Sequence, residues 1–153
     1  MANMIRVKIS GLDEIQRRLE SELPERAKAM LRAGLKEGAK VIQKEMQHEA
    51  PSESGILEEN IGTRVSVKSN KISGKAFVGP KGTVFYPART KVGWFGKTIV
   101  KRARMPVATI ARFLEFGTKD MTARPFMTQS FERMKKTAVY KIIESLRKAV
   151  GLS

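Results

Sequence analysis

The sequence predicts an α+β fold in which a small antiparallel β-sheet is packed by a long N-terminal helix, a short helix and a C-terminal helix. Two long segments, 24–49 and 125–149, keep apolar residues at the three- and four-residue spacing of a helix. Between them, residues 63–78 alternate apolar and polar side chains around a Ser-Asn turn, which is typical of two antiparallel strands. With 153 residues, of which 41% are hydrophobic, residues 1–153 are expected to form a single domain.

The N-terminal part is predicted to contain a short edge strand and two helices. Residues 6–9 alternate polar and apolar side chains, and the helical spacing that follows stops at Pro24, because proline has no amide hydrogen to donate inside a helix. Pro24 can begin a new helix, which we expect to run to Glu49. Gly34 and Gly38 interrupt its interior, where each glycine costs about 1 kcal/mol relative to alanine. Their spacing indicates a close approach by a sheet or a neighbouring helix.

The middle of the chain is predicted to form strands and a long basic segment. After a turn-rich loop at Pro51, residues 63–67 and 72–78 are expected to pair as a hairpin. From 81 to 106, glycine, proline, aromatic and basic residues replace any regular spacing. We expect a long basic loop or an extended hairpin there, and connections of this length in compact domains are usually functional or disordered.

A short helix is predicted to end at Gly117. Ile110, Phe113 and Leu114 share one helical face. Glycine readily adopts the left-handed conformation that closes the last turn of many helices. A tight loop is expected to follow.

The last helix is predicted to begin at Pro125 and to end near Ala149. Proline fits the first turn of a helix, because the amide hydrogen it lacks has no partner within the helix at that position. The hydroxyl of Thr122 or Thr128 is the candidate cap for this helix.

The positive charge is concentrated in the middle of the sequence. The net charge is +15, and residues 1–59 carry ten basic and eleven acidic side chains, whereas residues 60–114 carry twelve basic and no acidic ones. Such a segment indicates an anionic partner such as DNA phosphate, and a solvated charged face is the simpler alternative. The interleaved aromatic residues either stack on bases or anchor the segment on a neighbouring subunit. The candidate contacts with DNA or an acidic partner are Arg89, Lys91, Lys97, Lys101, Arg102 and Arg104.

The sequence contains no pattern of catalytic, metal-binding or cofactor-binding residues, so we expect no enzymatic activity, no metal and no cofactor. It has no cysteine, and its single histidine, His48, has no nucleophile pattern beside it and is expected to face solvent. Residues 96–98 mimic the end of a phosphate-binding loop, but Lys91 stands where that loop requires glycine. The glutamates around Pro51 lack the spacing of a calcium loop. No stretch approaches the roughly 20 apolar residues of a membrane span, so no membrane partner is expected.

Two groups of residues resemble motifs of tailed-bacteriophage neck proteins, the head-to-tail joining and tail-completion family. The sequence Phe-Leu-Glu-Phe-Gly-Thr at 113–118, followed by Ala-Arg-Pro-Phe at 123–126, looks like the Glu-Phe-Gly-Thr and Pro-Phe signature of that family. The sequence Ala-Pro at 50–51 with Gly-x-Leu at 55–57 is similar to its second motif. The residues to which the resemblance assigns packing and subunit contacts are Pro51, Gly55, Leu57, Phe113, Leu114, Glu115, Phe116, Gly117, Thr118, Pro125 and Phe126.

The resemblance implies a structural virion protein rather than an enzyme. Its copies would form a hexameric ring in the neck, between the connector or portal-side proteins and the tail-tube or tail-terminator proteins. There it would complete the tail and join it to the DNA-filled head, in contact with genomic DNA passing through the channel, after assembly in the bacterial host cytoplasm. The alternative function is a free nucleic-acid-binding protein that uses the basic segment 60–114.

Within the first motif, the side chains are expected to serve mainly as scaffolding. Phe113, Leu114, Phe116 and Phe126 would pack the short and final helices over the sheet. Gly117 would supply a backbone turn and Thr118 a side-chain hydrogen bond. Glu115 is expected to pair with an arginine of its own chain or of a neighbouring subunit.

Overall fold

The structure is a computed structural model that describes residues 15, 24–51, 55–68, 73–86, 91–92, 98–99 and 103–151. Its long helices and small two-stranded antiparallel sheets confirm the predicted α+β class. Among the described residues, no helix has the length and apolar character needed to cross a membrane. In chain order the elements are α1 (Pro24–Glu49), α2 (Ile56–Asn60), β1 (Ile61–Val67), β2 (Gly74–Pro80), β3 (Thr83–Tyr86), β4 (Lys91–Val92), β5 (Thr98–Ile99), β6 (Ala103–Pro106), α3 (Val107–Phe116) and α4 (Phe126–Ala149).

The chain divides into two compact units. The first unit comprises residues 1–41, 63–77 and 134–153, and the second comprises residues 42–62 and 78–133. The motif residues that the sequence singles out all lie in the second unit.

The first unit has an apolar core built from Ile15 and from residues in or next to α1 and α4. Ile15, Ala27 and Leu146 are buried, and partly buried apolar side chains surround them. Ile15 is helical, in agreement with the helix predicted before Pro24, whereas the strand predicted at 6–9 lies outside the described residues. The surrounding side chains are Met30, Ile142, Ile143 and Val150.

Two glycines of α1 allow α4 to approach closely within the first unit. A Cβ atom at Gly38 would lie 2.9 Å from the carbonyl oxygen of Ala138 and 2.7 Å from Cδ1 of Ile142. A Cβ atom at Gly34 would lie 3.1 Å from Cγ of Leu146. Because closely packed interiors leave no room for extra atoms, larger residues would force these helices apart. Of the two partners indicated by the glycine spacing, the neighbouring helix is the one observed.

Strands β1 and β2 form a two-stranded antiparallel sheet. At its turn, the amide of Lys68 donates a hydrogen bond to the carbonyl of Ser73 over 2.9 Å. Strand β2 begins against α1, where a Cβ atom at Gly74 would lie 2.5 Å from Cδ1 of Leu35. The predicted hairpin is therefore confirmed, with β1 beginning two residues earlier than predicted and β2 displaced by two residues towards the C-terminus.

Helix α2 is a five-residue helix in the second unit that the sequence does not predict. It follows Gly55, whose φ of 64° and ψ of −12° are left-handed. Leu57 and Ile61 are 3% and 2% exposed. The side-chain amides of Gln43 and Gln47 donate to the carbonyl of Ile61 over 3.0 and 3.4 Å. Burial and these long-range hydrogen bonds hold this short helix in place.

The described parts of 81–106 have the antiparallel strand pairs of an extended hairpin, one of the two predicted alternatives. In the β3–β6 pair, Val84 lies opposite Met105 and Phe85 lies opposite Arg104. Strands β4 and β5 also pair antiparallel. Val84 and Met105 are half-buried, whereas Phe85 and Arg104 are exposed. The β3–β6 ribbon therefore has an inner face and an outer face, as the alternation of side chains along a strand requires.

Helix α3 confirms the predicted short helix but buries a different face. The buried residues are Val107, Ala111 and Glu115, at four-residue spacing, whereas Phe113 is 37% exposed. Ile110 is half-buried. The predicted apolar face was therefore wrong by part of a turn. The small residue Ala111 allows close packing, and the polar residue Glu115 is buried because it has hydrogen-bond partners there.

Candidate functional site

The motif segment, defined as residues 113–126, contains a buried carboxylate at the start of α4. Glu115 is 4% exposed. Its two oxygens accept hydrogen bonds from the backbone amides of Met127 and Thr128, each over 2.9 Å, and one of them also accepts from the Thr128 hydroxyl. These amides are the second and third of α4 and have no acceptor within their own helix. Glu115 therefore caps α4 from another helix, with its negative charge at the positive end of the α4 dipole.

This arrangement corrects two predictions. The partners of Glu115 in the structure are helix amides and a hydroxyl, so the predicted pairing with an arginine of its own chain was wrong. The predicted capping of α4 by a threonine hydroxyl was also wrong. Both the amide and the hydroxyl of Thr128 donate hydrogen bonds to the carboxylate of Glu115, so this carboxylate is the cap. A carboxylate reaches two amides at once, which a single hydroxyl cannot match.

Gly117 makes the sharp bend between α3 and the following loop. Its φ of 75° and ψ of 178° lie in a region that is essentially restricted to glycine. A Cβ atom there would lie 2.8 Å from the carbonyl oxygen of Met121 and 2.9 Å from the amide nitrogen of Ala123. Glycine is thus required, as predicted, but its positive φ is combined with an extended ψ instead of the expected left-handed helical closure.

The loop after Gly117 is held by backbone hydrogen bonds. Thr118 and Met121 form an isolated antiparallel bridge, and the amide of Asp120 donates to Oγ1 of Thr118 over 3.3 Å. The amide of Arg124 donates to the carbonyl of Leu114 over 2.6 Å, which ties the end of the loop back to α3. The predicted side-chain hydrogen bond of Thr118 is therefore confirmed.

The Pro-Phe pair anchors the first turn of α4. Phe126 is 4% exposed, as its predicted packing role requires. The carbonyl of Pro125 accepts from the amide of Gln129 over 3.1 Å, and the carbonyl of Phe126 accepts from the buried hydroxyl of Ser130 over 2.7 Å. Pro125 has no side-chain hydrogen-bond acceptor, so the cap of α4 has to come from elsewhere in the chain.

Two aromatic residues of the motif segment keep part of their surface exposed. Phe116 is 67% exposed, so its predicted packing over the sheet was wrong, whereas Phe113 is 37% exposed and most of its surface is covered. They are three residues apart on α3 and therefore share one face of the helix. Met121, in the following loop, is 39% exposed, and Leu114 is half-buried. We call Phe113, Phe116 and Met121 the exposed apolar group. Glu115, which lies between Phe113 and Phe116 in sequence, is held by hydrogen bonds to the start of α4, so the backbone that carries these two aromatic residues is held in place.

The two sequence motifs meet at one open cleft of about 440 Å³ in the second unit. Pro51 of the second motif and Pro125 and Phe126 of the first motif all line it. Two further members of the second motif lie in α2 or just before it, with Leu57 buried and Gly55 half-buried. The other residues that line the cleft are Glu49, Ala123, Arg124 and Gln129.

An ion-pair cluster adjoins this cleft. Arg133 contacts the carboxylates of Glu45 and Glu49, each over 2.7 Å. The hydrogen bond from Arg133 lowers the pKa of Glu49, and the hydrogen bonds to Glu49 and Glu45 raise the pKa of Arg133. His48 is 81% exposed, with Nδ1 3.8 Å from Glu49, which agrees with the predicted solvent-facing histidine. Within the part of the chain that the structure describes, no three acidic, histidine or cysteine residues come together as a metal site.

Of the predicted basic contacts, Arg104 is the one whose side chain the structure describes. Arg104 is exposed on β6, with its Cζ atom 5.1 Å from the ring centroid of Phe85. Lys91 lies in β4, where the structure places its backbone. The predicted contacts that fall outside the described residues, whose roles stay predictions, are Arg89, Lys97, Lys101 and Arg102.

Comparison with known proteins identifies a family. The model of the family described as "Bacteriophage HK97-gp10, putative tail-component" matches residues 13–117, which is more than half of the chain. The matched range includes the whole second motif and the first motif as far as Gly117, and it ends before Thr118 and Pro125. Searches among curated proteins and among solved structures found no match.

Proposed function

Because this chain belongs to the HK97-gp10-like family of bacteriophage tail components, and is thus a structural phage protein, we propose that it forms a ring at the head–tail interface. In this proposal the ring is built from six copies of the chain in the neck of the virion. It completes the tail and joins it to the DNA-filled head. Its neighbours are the connector or portal-side proteins on one side and the tail-tube or tail-terminator proteins on the other. The role is mechanical, without catalysis or a cofactor, and assembly takes place in the host cytoplasm.

The exposed apolar group is the observation that supports subunit contacts most directly. Phe116 leaves 67% of its surface exposed although the neighbouring Glu115 is buried and hydrogen-bonded to the start of α4. Exposed aromatic residues on a rigid frame are typical of protein interfaces, because their burial releases water at little cost in side-chain entropy. We infer that Phe113, Phe116 and Met121 are covered by the next copy in the ring.

Closure of a ring constrains this contact. A cyclic ring with more than two subunits uses heterologous contacts, in which the exposed apolar group of one copy meets a different surface on the next. Removal of one large aromatic side chain at such a contact should prevent ring formation and leave the fold of each subunit intact, because substitutions of exposed residues usually change stability by less than about 0.5 kcal/mol.

The test is complementation of a phage that lacks this protein. Phe116→Lys should yield unjoined heads and tails in electron micrographs and a loss of infectious particles, while the purified variant keeps its melting temperature. Tyr140→Lys is the matched control. Tyr140 is an aromatic residue on α4 in the first unit, and its exposed fraction of 65% is nearly equal to the 67% of Phe116. Joined particles with Phe116→Lys at the level of the Tyr140→Lys control would contradict the proposed contact.

A further inference from the structure

The outer face of the β3–β6 ribbon presents an arginine supported by an aromatic ring. Phe85 and Arg104 are directly opposite each other in the antiparallel register, and the guanidinium carbon lies 5.1 Å from the ring centroid. Phe85 is 58% exposed. Cross-strand neighbours on one face lie within reach of each other, and a guanidinium over an aromatic face is stabilised by the ring quadrupole. The ring therefore restricts where the guanidinium of Arg104 is presented.

Arg104 has no carboxylate partner among the residues that the structure describes. In sequence, the acid-free segment extends on both sides of it, from residue 60 to residue 114. A guanidinium stacked on a ring through its face keeps the N–H groups at its edge available. Among the described residues, these N–H groups have no carboxylate acceptor, so an external anion is the natural partner.

The geometry favours phosphate over nucleobases as the group that is bound. Arg104 already lies over one face of the Phe85 ring, so that face is closed to a stacking base. The edge of a guanidinium matches the oxygens of a phosphate, which can accept two parallel hydrogen bonds. Contacts of this kind bind the nucleic-acid backbone without reading its sequence.

We propose that the Phe85–Arg104 pair is a phosphate-binding contact for the backbone of duplex DNA. The choice of duplex DNA as the source of the phosphate rests on the proposed function, in which the packaged genome passes through the ring. Arg104 makes the phosphate contact, and Phe85 positions its guanidinium. The contact is independent of base sequence.

The experiment measures fluorescence anisotropy of a labelled short duplex with the full-length protein between about 20 and 200 mM salt, the range over which counterion release changes affinity strongly. One phosphate contact contributes about 0.9 to the slope of log K against log salt concentration. Arg104→Gln should therefore lower the magnitude of that slope by about 0.9 and weaken binding about 8-fold at about 0.1 M salt. Phe85→Leu should weaken binding about 2- to 5-fold with a nearly unchanged slope, because the positive charge remains.

Arg112→Gln is the matched control, because Arg112 is another exposed arginine of the acid-free segment and its loss changes the net charge equally. Its salt slope should equal that of the wild type. An equal reduction of the slope in Arg104→Gln and Arg112→Gln would overturn the proposal, since it would indicate diffuse attraction by net charge. Absence of duplex binding by the wild type, or a tenfold preference between A·T-rich and G·C-rich duplexes, would also overturn it.

This test is separable from that of the ring. Arg104→Gln should still form joined particles in the complementation assay, because Arg104 is not in the exposed apolar group. An unchanged salt slope in Arg104→Gln would refute the DNA contact and leave the ring standing. Joined particles with Phe116→Lys would refute the ring contact, whatever the salt slope of Arg104→Gln.

Discussion

Replacement of Glu115 by alanine should destabilise the protein far more than replacement of an exposed glutamate. The carboxylate accepts from the amides of Met127 and Thr128 and from the Thr128 hydroxyl, and it is 4% exposed. Loss of a helix cap typically costs about 1 kcal/mol, and each buried donor left without an acceptor costs about 1–3 kcal/mol. We therefore expect a loss of about 3 kcal/mol for Glu115→Ala, which corresponds to a melting temperature lower by about 10 °C for a chain of this size.

The assay is urea unfolding followed by circular dichroism, together with thermal melts. Glu58→Ala is the control, because Glu58 is exposed on α2 and its loss should change the free energy of unfolding by less than about 0.5 kcal/mol. Pro125→Ser in the Glu115→Ala background should recover about 1 kcal/mol, since a hydroxyl just before Phe126 can cap α4 locally. Equal free energies of unfolding for Glu115→Ala and Glu58→Ala would refute the capping role of Glu115.

Two further predictions concern the backbone and an ion pair. Gly117→Ala should lower the free energy of unfolding by about 2 kcal/mol or more, because residue 117 has a positive φ and the new Cβ atom would lie 2.8 Å from the carbonyl oxygen of Met121. Gly79→Ala is the control, because its Cβ atom would meet no atom within 4 Å, and it should be nearly neutral in the same urea titration. Hydrogen bonds from Lys141 and Lys148, each 2.8 Å long, lower the pKa of Glu144 from 4.5 to about 2. Its ion pairs therefore stabilise the fold above pH 4.5 and lose that effect as the pH falls towards 2. The difference in melting temperature between wild type and Glu144→Gln should disappear over that range. A difference that stays constant with pH would argue against stabilisation by these ion pairs.

The long helices could be predicted from sequence because their apolar spacing persists over many turns. Helix α1 begins at Pro24 and ends at Glu49 as predicted, and α4 begins one residue later than predicted. Helix α2 could not be predicted, because five residues contain too little periodicity to distinguish a helix from a turn. Its stability depends on Gln43 and Gln47, which lie on another helix and donate to the carbonyl of Ile61.

The partner of Glu115 could have been anticipated only from a different observation. Charge alone predicts that the first acidic residue after an acid-free segment pairs with an arginine or a lysine. The relevant signal is Pro125, which occupies the capping position of α4 but carries no side-chain acceptor. The first amides of α4 therefore need an acceptor from elsewhere, and the sequence does not show that the chain brings residue 115 to residues 127 and 128.

In the proposed ring, the motif segment divides its residues between folding and assembly within a single helical turn. Glu115 points inward to the start of α4, while Phe113 and Phe116, on either side of it in sequence, remain exposed. Loss of Glu115 should therefore abolish assembly indirectly, because the frame that holds the two aromatic residues is destabilised. Loss of Phe116 should abolish assembly at unchanged stability. A rescue of neck assembly by Pro125→Ser in the Glu115→Ala background, but not in Phe116→Lys, would separate these two contributions, since a restored cap cannot replace a missing contact surface.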